Sequence, residues 1–288
     1  MDRIPVIIFD TSAINYLSKE QHCKGLVAAL RHGFFTRVLA TNFEEIAATV
    51  RSEERRDLLV SVSGSLLTGG DCILPFNWLL EQHIQAFESN PSYDWQQVSV
   101  CPPDLAETLL RDKSFFCREL AVEQLSHAQK MQDDFEAPFE RIRPEFEEIF
   151  RSHGRRIVSF AEFLEVMFSQ GGSYWAIGAE LYRHAAGNSP EEEKIRRFVA
   201  ACPPFHSLLV AYARAQYERC VAVMPATNRK RLANRVDTFM AVYLPYCALF
   251  VTADEDQHRC FSTVASELKL GTSVLMYEQF WNSMLVAA

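Results

Sequence analysis

Four acidic residues stand where this chain changes between apolar strands and helices: Asp10, Glu45, Asp237 and Asp254. Asp10 closes the apolar run Ile4-Pro5-Val6-Ile7-Ile8-Phe9, and Asp254 closes Ala248-Leu249-Phe250-Val251-Thr252-Ala253. In an open parallel sheet, ligands sit in the crevice outside the carboxyl ends of the strands. Two aspartates delivered to that edge, with one acid from each of two helices, would form an oxygen-rich pocket. Such a pocket suits a hard divalent cation, Mg²⁺ or Mn²⁺. The chemistry most often built on it is metal-assisted phosphodiester cleavage.

The elements that must position these acids follow from hydrophobic spacing. A strand is expected near Pro5–Phe9, then a helix through Ile14, Leu17, Leu26 and Leu30. After His32-Gly33 and a short apolar link, Thr41 or Asn42 suits an N-cap for a helix bearing Phe43, Ile46 and Val50. That helix is expected to end in the charged run Arg51–Asp57, with Leu58–Leu67 continuing helically. Cys72-Ile73-Leu74-Pro75 reads as a short second strand, and Trp78–Phe87 as a helix behind it.

From about Asn90 to Pro204 the pattern becomes helical throughout, punctuated by Phe135, Phe139, Phe146, Phe150, Phe160, Phe163 and Phe168. Ser189-Pro190-Glu191-Glu192 has the makings of a helix start, with a cap and a proline at the first helical position. The α/β pattern then returns. Helices are expected over Phe205–Val221, Arg231–Tyr243 (stopped by Pro245) and Gln257–Leu268, with strands at Ala248–Thr252 and Ser273–Tyr277. The expected fold class is therefore α/β, a parallel sheet sandwiched by helices. Its core would comprise residues 1–90 and 205–288, and residues 91–204 would form an all-helical insertion. The insertion's ends must stay close together, so it should pack beside the core as a lid or wall over the acidic cleft.

Composition narrows the class. A chain of 288 residues with 48% hydrophobic and 23% charged residues has an ordinary globular make-up and can bury a large core. No apolar run approaches the roughly 18–20 residues that span a bilayer. The first apolar run stops at Asp10, unlike a signal peptide, so a cytoplasmic protein without membrane contact is expected. The eight cysteines form no CxxC pair, and reduced, buried thiols are expected. A net charge of −8 does not advertise a nucleic-acid binder, although cations bound at a carboxylate cluster would offset part of it. No Gly-Lys-Ser/Thr follows Gly69-Gly70, and Ser12 stands where a dehalogenase-like phosphatase needs a second Asp.

Taken together, Ile8-Phe9-Asp10-Thr11-Ser12-Ala13-Ile14-Asn15, Asn42-Phe43-Glu44-Glu45-Ile46, Asn234-Arg235-Val236-Asp237 and Phe250-Val251-Thr252-Ala253-Asp254-Glu255-Asp256 resemble the PIN-domain nuclease family. The likeness covers about residues 4–90 and 205–280, and has no counterpart for the helical middle. It implies a parallel sheet between helices and a divalent-metal-dependent endoribonuclease. Products would carry 5′-phosphate and 3′-hydroxyl ends. Asp10, Glu45, Asp237 and Asp254 would be the metal-binding and catalytic acids, with Glu44 and Asp256 as alternates. Glu44 and Glu45 lie about 100° apart on a helix and cannot serve equally. Thr11, Ser12, Asn15 and Thr252 would orient the carboxylates.

Each of these residues has a plainer alternative. Asp10, Ser12 and Asn15 could be helix caps, and Asp237 a solvated helix residue. Arg229, Lys230, Arg231 and Arg235, with Arg214 and Arg219, would steer RNA phosphates to the cleft, or simply solvate a loop. Tyr212 and Tyr217 have the spacing of packing residues more than of base-stacking ones. The alternative to an enzyme is a catalytically silent PIN-like module that binds RNA or a protein. A protein partner or self-association stays open.

Overall fold

The computed structural model describes residues 4–21, 23–49, 52–67, 72–98, 130, 132–146, 148, 159–169, 173–188, 190–222 and 234–287. Its centre is a five-stranded, all-parallel sheet: β1 (Val6–Phe9), β2 (Phe35–Leu39), β3 (Cys72–Ile73), β4 (Leu249–Thr252) and β5 (Ser273–Met276), in the order β3-β2-β1-β4-β5. Ile8 pairs with Arg37 on one side and Phe250 on the other, so β1 is central. Its residues Ile7, Ile8 and Phe9 are wholly buried, as a strand covered on both faces requires.

Helices α1 (Thr11–Leu17) and α2 (Cys23–Gly33) connect β1 to β2, and α3 (Ala40–Thr49) and α4 (Glu53–Leu66) connect β2 to β3. After α5 (Phe76–Ser89) the described residues of the middle block form α6 (132–146), α7 (Phe160–Ser169), α8 (Ser173–Ala186) and α9 (Glu192–Ala201). The chain returns through α10 (Pro203–Cys220) and α11 (Arg235–Phe239), and a 3₁₀ segment Met240–Tyr246 leads into β4. Helix α12 (Glu255–Glu267) joins β4 to β5, and α13 (Tyr277–Ala287) follows β5.

The middle block is built onto the sheet domain. Phe160, Phe163, Tyr182, Ile195 and Phe198 belong to the same buried cluster as Ile8, Phe43 and Phe250. Phe198 packs its ring on Phe87 of α5 at 5.1 Å and on Phe205 of α10 at 4.8 Å. Glu88 of α5 accepts from the Tyr182 hydroxyl at 2.7 Å and pairs with Lys194 at 2.6 Å. Phe135 and Phe139 of α6 form a second small cluster with Ala215 and Cys220 of α10.

Several sequence expectations need correction. The apolar link after Gly33 is strand β2, masked because Arg37 breaks the apolar run; its guanidinium lies 5.5 Å over the Phe35 ring. Cys72-Ile73 is accordingly the third strand. Helix α3 starts at Ala40, directly off β2, and the Asn42 side chain accepts from the Leu39 amide at 2.9 Å inside it. The Arg51–Asp57 run does not end that helix: Ser52 caps a new one from Glu53, and Arg51 lies outside the described residues.

Pro190 precedes α9 by two residues, and Ser189 is not among those described. The expected helix at Arg231–Tyr243 is only Arg235–Phe239, because a capping box at Asn234 starts it late. Pro245 lies inside the following 3₁₀ segment rather than after a helix. The last strand ends at Met276, and α13 was not foreseen. The described cysteines are free thiols, five of them buried, while Cys101 and Cys117 fall outside the described residues. Among the described residues no helix is long and apolar enough to cross a membrane.

Candidate functional site

From β1 the chain steps outward through β2 to β3, then returns to the other side of β1 for β4 and β5. The gap between the carboxyl ends of β1 and β4 is thus the topological switch point, where open α/β sheets open a crevice. Asp10 and Asp254 are delivered there. The Asp10 amide donates to the Val251 carbonyl at 3.0 Å, which ties the two strand ends together.

Asp10 is only 5% exposed. Its carboxyl caps α1 by accepting from the Ala13 amide at 2.7 Å. Ser12 Oγ donates to it at 2.9 Å and Thr252 Oγ1 at 3.0 Å. Those hydroxyls are themselves held, accepting from the Ala253 amide at 2.8 Å and the Asp254 amide at 3.0 Å. Asp10, not Ser12, is the cap of α1, and the hydroxyls of Ser12 and Thr252 both hold its carboxyl.

Glu45, half-buried on α3, accepts a hydrogen bond from Thr11 Oγ1, which in turn accepts from Asn42 Nδ2 at 3.1 Å. Glu44 is exposed one residue earlier. Asp237 sits in the first turn of α11, where its Oδ2 accepts from the Asn234 amide at 3.0 Å and its Oδ1 from Gln257 Nε2 at 3.3 Å. Asp254 is exposed and caps α12, taking the Asp256 and Gln257 amides at 2.8 and 2.9 Å. Asp256 pairs with Arg259 at 2.6 Å.

Glu45 and Asp237 feel the charges of neighbouring acids, and all three buried carboxyls are raised. Burial pushes the Asp10 carboxyl up to about 6. It pushes Glu45 up to about 8, with the charges of Asp237 and Asp10 adding to the effect. Asp237 rises to about 7 through burial first, then through Asp254, Asp10 and Asp256. Desolvation is the larger cause at all three, and like charge adds to it at Glu45 and Asp237. Among the described residues, no group of three or more His, Cys, Asp or Glu is drawn together closely enough to hold one ion. The donor chemistry fits a hard divalent cation, since every group is a carboxylate oxygen flanked by like charge; the spacing is open.

The remaining candidates divide. Asn15 accepts from Arg55 through its side chain at 2.5 Å, fastening α1 to α4, and makes no described bond to the acids. Arg214 pairs with Glu218 at 2.8 Å and Arg219 with Glu136 at 2.6 Å, so both are spent in the fold. Arg235 is packed over the rings of Phe239 at 4.8 Å and Phe76 at 5.4 Å, and its amide donates to Gln132 of α6. That bond, with Phe135 against Phe239 at 6.3 Å, sets α6 beside the Asp237 helix. Arg229, Lys230 and Arg231 lie outside the described residues. Tyr212 and Tyr217 pack on phenylalanines, as their spacing implied.

Sequence reasoning missed Gln257 and the side-chain role of Asn42. Gln257, 1% exposed, bridges α12 to Asp237. Its place three residues after Asp254 is a capping-box signal that could have pointed to it.

The raised acids set a pH dependence. A carboxyl whose folded pKa exceeds its unfolded value binds its proton more tightly when folded, so stability falls as pH rises between the two. For Asp10, Glu45 and Asp237 that window runs from about 4 to about 8. The rise at Asp10 alone corresponds to about 3 kcal/mol. Thermal melts of metal-free protein should therefore drop by several degrees from pH 5 to pH 8; a midpoint that climbs over this range contradicts the burial of these acids.

No protein-family model matches this chain, and neither a curated protein nor a solved structure is found to match it.

Proposed function

We propose that the chain is a PIN-like, divalent-metal-dependent endoribonuclease, acting on RNA in the cytoplasm. The observation that supports this best is the electrostatic coupling of Asp10, Glu45 and Asp237. They reach the carboxyl edge of the sheet from three separate elements, and the charge of Asp10 raises the proton affinity of both Glu45 and Asp237. Buried like charges are costly, and a site that concentrates them is more readily explained by a cation than by packing.

Asp10, Glu45 and Asp237 would hold Mg²⁺ or Mn²⁺, with Asp254 at the margin. The bound ion would neutralise phosphate charge and lower the pKa of water. Ser12 and Thr252 fix the Asp10 carboxyl from one side, and Thr11 with Asn42 fixes Glu45 from the other. Helix α6, set beside α11, would form one wall of the cleft.

The silent-module reading has two observations in its favour. Asp237 and Asp254 already cap helices, and the described acids do not converge on a point. Incubating purified protein with end-labelled single-stranded RNA separates the two. The nuclease reading expects internal cuts with Mn²⁺ or Mg²⁺, products with 5′-phosphate ends, and arrest by chelator. RNA left intact with either ion would decide for the silent module.

A further inference from the structure

We propose a second binding site, for an organic cation, between α1 and α13. Three aromatic rings meet there in sequence. Tyr16 of α1 lies 5.6 Å from Tyr277, and Tyr277 stacks with Trp281 of α13 at 6.5 Å, with only 4° between their planes. They line a cavity of about 300 Å³ whose other walls are Glu20, Glu278 and Asn282. Against it lies an apolar pocket of about 90 Å³, which shares Tyr277 and Trp281 and is closed by Leu17, Leu30, Phe280 and Met284.

The chemistry of this lining selects one ligand class. Aromatic faces carry negative quadrupole charge and attract ammonium or guanidinium groups. Two carboxylates beside them strengthen that attraction and repel phosphate, so a nucleic-acid strand is disfavoured here. Glu20 is held toward the rings by the Tyr277 hydroxyl, which donates to its Oε1 at 3.2 Å. The chain supplies its own demonstration of the affinity: Lys19 Nζ sits 5.1 Å from the centre of the Tyr16 ring, which is 46% exposed. The adjoining apolar pocket suits the aliphatic part of a ligand whose cationic head rests on Tyr16 and Trp281, the Tyr277 ring between them being only 4% exposed. An alkylammonium small molecule and a methylated lysine on a partner protein share that chemistry.

Choline titrated into the full chain, read by calorimetry and by tryptophan fluorescence, tests this site without reference to any nuclease activity. The neutral isostere 3,3-dimethylbutan-1-ol serves as the control. Choline should bind saturably and about tenfold more tightly than the alcohol. The double variant Glu20→Gln, Glu278→Gln should lose about that tenfold for choline and nothing for the alcohol. Lys19→Ala, which uncovers the Tyr16 face, should tighten choline binding. A trimethyl-lysine peptide that outcompetes choline would mark a protein partner, and the reverse a small metabolite. Equal affinity for choline and the alcohol, or no saturable signal from choline into the millimolar range, would overturn the proposal.

Discussion

Replacing Asp10 or Asp237 by asparagine should lower RNA cleavage by about 100- to 1,000-fold while leaving the protein folded. Asparagine keeps the shape and the acceptor that takes the Ala13 amide, but removes the charge a cation would need. Ser12 and Thr252 can turn their hydroxyls to meet the new amide, because their own oxygens are already anchored by backbone donors. Removing a buried charge also removes its desolvation cost, so Asp10→Asn should melt higher than the parent at pH 8 and about equally at pH 5. A steady-state rate on labelled RNA alongside a thermal melt measures both. Full activity in the asparagine variants would place the cutting elsewhere.

Phe198→Ala should cost about 3–5 kcal/mol, a large share of a typical domain's stability. The side chain is completely buried, with rings of Phe87, Tyr182 and Phe205 around it, so three helices would collapse imperfectly onto the space it leaves. Because the middle block shares its core with the sheet, urea unfolding should stay a single transition by circular dichroism and by fluorescence. A small loss confined to an early phase, with the sheet unfolding independently later, would show the block to be a separate unit.

How much the sequence revealed depended on whether the determinants were local. The strand ends at Asp10 and Asp254 stood out because an acid closing an apolar run breaks a two-faced buried strand. Helix α3 turns Glu45 toward Thr11 and leaves Glu44 exposed, a one-residue difference that spacing alone could not fix. Strand β2 was hidden by Arg37, which shares the less buried face of the strand with Phe35 and lies over its ring. The basic residues misled for the opposite reason. Arg219 looked available because its partner, Glu136, lies far away in the chain, and only the packing of α6 on α10 joins them. Asn15 belonged to the stretch that resembles a nuclease motif, and its bond to Arg55 of α4 joins residues too far apart in the chain to be read from it.

The pairing of raised proton affinity with an all-oxygen donor set makes metal binding the most direct point of attack. Calorimetric titration of Mn²⁺ into the protein at pH 7, repeated in two buffers of different ionisation enthalpy, reads both binding and proton exchange. Saturable binding is expected, with net proton release as Glu45 and Asp237 give up protons they hold at that pH, and with loss of binding in Asp10→Asn. An absence of saturable heat at millimolar Mn²⁺, or binding that Asp10→Asn leaves unchanged, would contradict a metal-dependent site at the carboxyl edge of this sheet.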